Sequence, residues 1–456
     1  MKILLKNIRH LITMNDKMEV KENVDMLLES PKILKIDKNI EEKADEIIDA
    51  SNMIILPGFI NTHHHFYQTF TRVYPPVQNS TLFTWLVNLY EIWKYLDEEE
   101  IYYSAKLAIM ELLRTGCTTT TDHLYIYPKG FSKSPIEYEI KAAKELGIRF
   151  VPTHGNMSRS KKDGGLPPDS LVREEEKILE DSVYLIEKYH NPESYSMLQI
   201  ALAPCSPFST TKELMKETAR LARKYKVLLH THLCETLDEE KYCLEVYGKR
   251  PLALMEEVEW LGDDVWYAHG IYFNDDELKI LAETKTNICH CPTSNMRLGS
   301  GICRVCEMKE MGINVGLGVD GSASNDSSDM WGEVRNAFLL QRIKYGTEKF
   351  TALDALSLAT KNGAKLLKRN ELGIIEEGKA ADIIGIKVNK LDFIGSAFDY
   401  TAAVVFCGSS HYVDLNIVNG KIIILDGKFT NIDEEMEKEK IIKIWEKYKK
   451  KSIGNV

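Results

Sequence analysis

Gly58-Phe59-Ile60-Asn61-Thr62-His63-His64-His65 starts as a short apolar run and closes on three histidines. In an extended strand the side chains alternate faces, so His63 and His65 share one side and His64 takes the other. Two imidazoles on one face can share a cation. Three later stretches have the same form: His230-Thr231-His232-Leu233-Cys234-Glu235, Ala268-His269-Gly270 and Gly318-Val319-Asp320-Gly321. His232 and Asp320, from distant strands, would complete a metal-ligand set with His63 and His65. Glu235 is then left beside that set as an unligated carboxylate.

Outward from this stretch, β-branched runs alternate with longer helical stretches as far as about Leu367. The runs predict strands over Phe59–His65, Cys117–His123, Ile148–His154, Met197–Cys205, Val227–His232, Val265–His269, Thr286–His290 and Ile313–Asp320. Eight strands are what a closed parallel barrel requires. Apolar residues at helical spacing predict helices over Ile101–Leu113, Pro135–Leu146, Lys212–Lys224 and Asp275–Glu283. Gly116, Gly147 and Gly312 stand where a helix stops before the next strand. Each predicted strand closes on a polar residue: His65, His123, His154, Cys205, His232, His269, His290 or Asp320. Parallel strands buried on both faces otherwise read as continuous apolar runs. On a (β/α)₈ barrel, function gathers at those C-terminal ends.

The flanks differ. Met1–Leu5, Val24–Leu28 and Ile33–Ile36 read as short strands, as do Asp382–Ile386, Thr401–Phe406, Asp414–Val418 and Lys421–Leu425. Asn419-Gly420 gives a tight hairpin signal. The expected organisation is α/β: a barrel over residues 58–372, a small β-sandwich from residues 1–57 plus 373–430, and a helical tail over 431–456. The tail's mixed charge over Glu435–Lys451 predicts a solvated helix.

Composition narrows the function. A hydrophobic content of 44% and charged content of 28% over 456 residues are ordinary for a globular protein, with ample length for a large core. A net charge of −10 argues against nucleic acid or an anionic membrane as partner. The N-terminal stretch is too short and charged for a secretory signal, and no apolar run is long enough to span a bilayer. Nine scattered cysteines suggest no disulfide framework, so a cytoplasmic setting is expected. Cys303-Arg304-Val305-Cys306 is a lone CxxC without a second pair, a weak basis for a zinc knuckle. The oligomeric state stays open, a homo-oligomer included.

These motifs, in this order, resemble the amidohydrolase superfamily over essentially the whole chain. The resemblance includes Leu372-Gly373-Ile374-Ile375-Glu376-Glu377-Gly378-Lys379-Ala380-Ala381-Asp382-Ile383, where such chains re-enter the small β domain. It implies a metal-dependent hydrolase of amines or amides. His63, His65, His232 and Asp320 match the metal ligands, Glu235 the general acid/base, and His269 the histidine that polarises the attacking oxygen. The fourth strand closes on Leu202-Ala203-Pro204-Cys205-Ser206-Pro207, with no bridging lysine or acid. One divalent metal ion per chain is therefore expected, zinc first and iron(II) second.

Within that branch, His63-His64-His65-Phe66-Tyr67-Gln68-Thr69, Leu82-Phe83-Thr84-Trp85-Leu86, the Gly116–His123 run and the Leu317–Asp326 run are similar to 8-oxoguanine deaminases. Methylthioadenosine/S-adenosylhomocysteine deaminases are rivals. They carry a ribose-binding glutamate where this chain has Leu96, and a histidine where it has Cys205. The implied ligand is a free heterocyclic base. Alternatives are deamination of isocytosine, a pterin, a hydroxytriazine or methylthioadenosine, or a non-catalytic scaffold. Gln68, whose amide both donates and accepts, is the candidate contact to a purine edge. His123, His154 and Cys205 are candidates for the same mouth, and Trp85 with the 74–96 segment for its cover. Asp320 is assigned a second role, holding a proton for the leaving ammonia.

Overall fold

Eight parallel strands close a barrel in the computed structural model, which describes residues 1–454 apart from 129 and 133. They are β1 (Phe59–Asn61), β2 (Cys117–Leu124), β3 (Arg149–Asn156), β4 (Ala201–Pro204), β5 (Leu228–Leu233), β6 (Val265–His269), β7 (Asn287–His290) and β8 (Val315–Leu317). Neighbours follow chain order, and β8 closes on β1 where Leu317 pairs with Asn61. The eight predicted strands are thus the eight staves.

Several ladders stop earlier than predicted. β1 ends at Asn61 and β8 at Leu317, because the chain beyond them leaves the sheet to aim its side chains inward. Single bonds bridge that stretch, from Thr62 N–H to the Leu317 carbonyl (3.0 Å) and from Asp320 N–H to the His63 carbonyl (3.1 Å).

The four predicted helices are present as Glu98–Arg114, Ile136–Leu146, Lys212–Tyr225 and Asp275–Thr284. Asp97 and Asn274 each close a capping box on theirs. Such reciprocal bonds satisfy amides that the first helical turn leaves open.

The flanks form two sheets that share one apolar core, the first from the N-terminal flank alone and the second from both. The first runs Lys32–Asp37, Val24–Glu29, Lys2–Ile8, Glu46–Asp49. The second runs Lys428–Phe429, Lys421–Leu425, Leu415–Val418, Ile383–Lys387, Met53–Pro57, His10–Ile12, Val20–Lys21. Met53–Pro57 pairs antiparallel with Ile383–Lys387, which joins the two ends of the chain. Ile3, Leu5, Leu28, Ile55, Ile383 and Leu415 are buried between the sheets. Asn419 and Gly420 both take positive φ in the hairpin between Leu415–Val418 and Lys421–Leu425, the conformation that the Asn-Gly pair favours.

Two expectations are corrected. Thr401–Phe406 is not a strand but part of a helix, Tyr400–Phe406. Asp399 caps it by accepting from the Ala402 amide (2.9 Å), and the Val404 carbonyl accepts from the Trp331 indole. This cap and packing override the β-branched run. The C-terminal helix, Glu434–Ile453, is solvated on one side only. Ile441, Ile444 and Tyr448 are buried against the barrel layer, and Tyr448 Oη donates to the Ile92 carbonyl (3.0 Å). No helix among the described residues is long and apolar enough to cross a membrane.

Candidate active site

His65, in the stretch beyond β1, and His232, near the end of β5, have their protons assigned by carbonyls, which can only accept. His65 Nδ1 lies 2.7 Å from the His123 carbonyl oxygen, and His232 Nδ1 lies 2.7 Å from that of Cys205. Both Nδ1 atoms therefore carry hydrogen, and both Nε2 atoms carry lone pairs. These two Nε2 atoms face each other at 3.2 Å. Asp320 Oδ1 stands 3.3 Å from His63 Nε2 and 3.4 Å from His65 Nε2, and His63 Nε2 is buried without a hydrogen-bond partner.

Protonation does not relieve this crowding of lone pairs. Burial lowers the pKa of His63 and His65, and takes that of His232 down to about 3. Three neutral imidazoles and a carboxylate converging in a buried space fit a divalent cation. His63, His65, His232 and Asp320, singled out from sequence, are brought together here. His64 points away, its Nε2–H reaching Ser328 Oγ at 2.9 Å.

Glu235 follows β5 past a turn whose Cys234 has a φ of +54°. A residue absent from the sequence reading holds that turn. Glu239 Oε1 accepts from the Cys234 amide and Oε2 from the Glu235 amide, both at 2.9 Å. The signal was the spacing Thr236-x-x-Glu239, a capping-box pattern in which the carboxylate here reaches further back along the chain. Glu235 is buried, and desolvation raises its pKa to about 7.

His269 sits opposite, with Nε2 3.5 Å from Glu235 Oε2 and 3.9 Å from Asp320 Oδ2. Its Nδ1 donates to Asn295 Oδ1 (2.9 Å). Burial lowers the His269 pKa, but the Glu235 and Asp320 carboxylates more than offset this and leave it raised. Both His269 (φ +74°) and Asp320 (φ +64°) hold left-handed backbone, strain of the kind that collects at working sites.

A cleft opens above these groups. His65, His232, Glu235, His269 and Asp320 form its floor, Leu82, Trp85, Leu86, Phe208 and Leu298 supply apolar walls, and Gln68, Tyr125, Cys205 and Ser324 add polar groups. Gln68 is buried with its Oε1 unpartnered. Gly321 makes room for it, since a Cβ there would lie 2.0 Å from Gln68 Oε1. Cys205 lines the cleft as a neutral thiol, pushed up to about 12 by burial.

Two histidines expected at the mouth do not line the cleft, although a ring nitrogen of His123 lies within 4.8 Å of ring nitrogens of His63, His65 and His232. His123 points into the barrel, where it stacks on His232 (4.9 Å between ring centroids) and donates from Nε2 to the Ala203 carbonyl (2.8 Å). β2 runs on to Leu124, so His123 stays within the strand and faces the interior. His154 is engaged with Ser182 Oγ at 2.8 Å. The CxxC thiols diverge, Cys303 toward the Gly270 carbonyl and Cys306 toward that of Lys349.

The amidohydrolase family profile matches residues 54–423. The chain belongs to the amidohydrolase family. This amidohydrolase is 48% identical over 385 residues to 8-oxoguanine deaminase of Pseudomonas aeruginosa, covering 84% of this chain and 85% of that one. It is 34% identical to 5-methylthioadenosine/S-adenosylhomocysteine deaminase of Pyrococcus horikoshii, over 92% and 94% of the two chains. Among solved structures it superposes on atrazine chlorohydrolase from Arthrobacter aurescens complexed with zinc. The TM-score is 0.94 at 32% identity, over 97% of this chain and all of that one. The amidohydrolase is accordingly a metal-dependent aminohydrolase.

Proposed function

We propose that this amidohydrolase deaminates 8-oxoguanine with water to urate and ammonia, holding one divalent metal ion per chain, zinc in preference to iron(II), on His63, His65, His232 and Asp320. The 48% identity to an 8-oxoguanine deaminase carries the reading. The cleft supports it. Its walls are apolar, its two carboxylates both lie at the floor, and Leu96, where a ribose-binding acid is expected in nucleoside deaminases, is buried and not among the cleft residues. Such a cleft suits a flat base better than a sugar.

A divalent cation held by these four residues would lower the pKa of a water to about 7 and so make a nucleophile available near neutral pH. Glu235, itself near 7, is placed to take a proton from water and give it to the ring nitrogen beside the amine-bearing carbon. His269, anchored through Nδ1 by Asn295, turns Nε2 toward the floor, where it can hydrogen-bond the attacking oxygen. Asp320 Oδ2, which accepts from Ser324 Oγ (3.3 Å), takes the remaining hydroxyl proton and passes it to the departing amine, which leaves as ammonia. Gln68 offers its unpartnered amide oxygen to a purine N–H.

Ammonia release from 8-oxoguanine, methylthioadenosine, S-adenosylhomocysteine and adenosine tests the reading. The expected order of kcat/KM has 8-oxoguanine far ahead, by up to about 10⁴-fold where unpaired polar groups penalise the wrong ligand. A nucleoside in first place overturns it.

A further inference from the structure

His63 alone among the three converging imidazoles has no carbonyl on its Nδ1. That atom lies 2.8 Å from His230 Nε2. His230 Nδ1 lies 3.1 Å from the Trp266 carbonyl oxygen, and its ring stacks on the Trp266 indole at 4.4 Å between centroids and 14° between planes. The indole Nε1–H in turn donates to the Thr62 carbonyl (3.1 Å), one residue before His63. All these groups are buried.

The direction of the chain follows from its end. The Trp266 carbonyl only accepts, so His230 Nδ1 carries the hydrogen and His230 Nε2 carries the lone pair. His63 Nδ1 must then donate to it, which leaves the His63 Nε2 lone pair free among the other cation-facing atoms. Without an acceptor at His230 the opposite His63 tautomer becomes competitive. Its Nε2–H would point at Asp320 Oδ1, 3.3 Å away, and close that lone pair to a cation.

We propose that His230 is a positioning residue: through the Trp266 carbonyl it fixes the tautomer and ring plane of His63, and so sets the affinity of the site for a divalent cation. The proposal rests on the metal reading of His63 and not on the identity of the heterocycle. Partners of this kind are typically worth about 10–100-fold in metal affinity.

Two substitutions separate the two bonds that His230 makes. His230→Gln places an amide oxygen as many bonds from Cα as the ring Nε2, and so retains an acceptor for His63. His230→Asn places its amide where Nδ1 was, and so retains only the donor to Trp266. Zinc dissociation constants of the full chain are measured by chelator competition, alongside the visible absorption of the cobalt(II)-loaded protein. The expected result is a Gln variant within a few-fold of wild type and an Asn variant weaker by about 10-fold or more with an altered cobalt spectrum. Equal affinities and equal spectra for the two variants overturn the proposal. His230→Phe, which keeps the stack but neither bond, is expected to match Asn, and a Phe variant with wild-type affinity overturns it as well. Failure of the wild type itself to bind zinc or cobalt removes the metal reading along with it.

Discussion

Glu235 Oε2 and His269 Nε2 face each other at 3.5 Å, both buried, with Asp320 Oδ2 3.9 Å from the same imidazole nitrogen. Burial drives the carboxyl toward its neutral form, while the two carboxylates draw the imidazole toward its charged form. The two shifts bring the proton affinities of the carboxyl and the imidazole toward each other, the condition a shuttle needs.

Replacing Glu235 with Gln keeps the shape but abolishes proton transfer. The expected loss in kcat is about 10²-fold or more, with unchanged metal content by elemental analysis. A fully metallated Gln variant that turns over like wild type takes Glu235 out of the mechanism.

The raised pKa also sets a pH dependence. The proposed base Glu235 works only when ionised, so kcat/KM is expected to fall on the acid side, along a limb that burial of the carboxyl moves upward and a bound cation moves downward. A folded pKa of about 7, above the unfolded one, means that this contribution is complete below the unfolded value and lost as pH rises through about 7. In metal-free protein, Glu235→Gln should therefore be the more stable form at pH 8, by on the order of 3 kcal/mol, and the difference should vanish near pH 4. Denaturation midpoints at the two pH values check this.

The proposed function places one cation on the converging set at the barrel floor. Chelation should yield metal-free, inactive protein, and titration with zinc should restore activity at one equivalent per chain. Two tightly bound equivalents in active protein would contradict the absence of a bridging group at the end of β4.

Much of this site was legible because polar residues follow apolar runs, although His63, His65 and Asp320 lie just past the strands and not within them. The pair His63/His65, His232 and Asp320 each follow an apolar run, but so do His123 and His154, which do not line the cleft. The groups that orient them were not legible. The carbonyls of His123 and Cys205 that set two imidazole tautomers are backbone, and any residue supplies one. His230 was visible as the partner of His232 on one strand face, but its contact with His63 crosses 167 residues of sequence. Thr401–Phe406 misled because β-branched residues report a packed surface as readily as a strand, and the deciding feature was the Asp399 cap.

The absence of a side chain at Gly321 is a specific requirement of Gln68. A Cβ there meets the Gln68 amide oxygen at 2.0 Å, so Gly321→Ala should push that amide off its position, and metal content is measured alongside because the Gly321 N–H also donates to Asp320 Oδ1 (2.6 Å). Misplacement of a substrate-orienting group by about 1 Å can cost roughly 10²-fold. The expected fall in kcat/KM should be shared with Gln68→Ala. In a double-mutant cycle the second substitution should add little to the first. Full additivity would show that Gly321 acts through some other group.

Arg149, at the start of β3, donates from Nε and Nη2 to the two oxygens of Asp382 at 3.0 and 3.1 Å. Its Nη1 is shared by the Tyr195 and Ser196 carbonyls. Asp382 Oδ1 also accepts from the Asn419 amide (2.6 Å), so one fully desolvated pair fastens the barrel to the sheet formed by both chain ends. Removing one partner leaves the other's charge buried, which typically costs 3–5 kcal/mol, whereas replacing both with apolar residues of similar volume is often neutral or stabilising. Asp382→Leu is therefore expected to lower the denaturation midpoint sharply, and Arg149→Met with Asp382→Leu to recover most of the loss. Activity per folded molecule should stay near wild type in both, because neither residue lines the cleft. A double variant as unstable as the single one would mean that the Tyr195, Ser196 and Asn419 bonds, and not the ion pair, carry this junction.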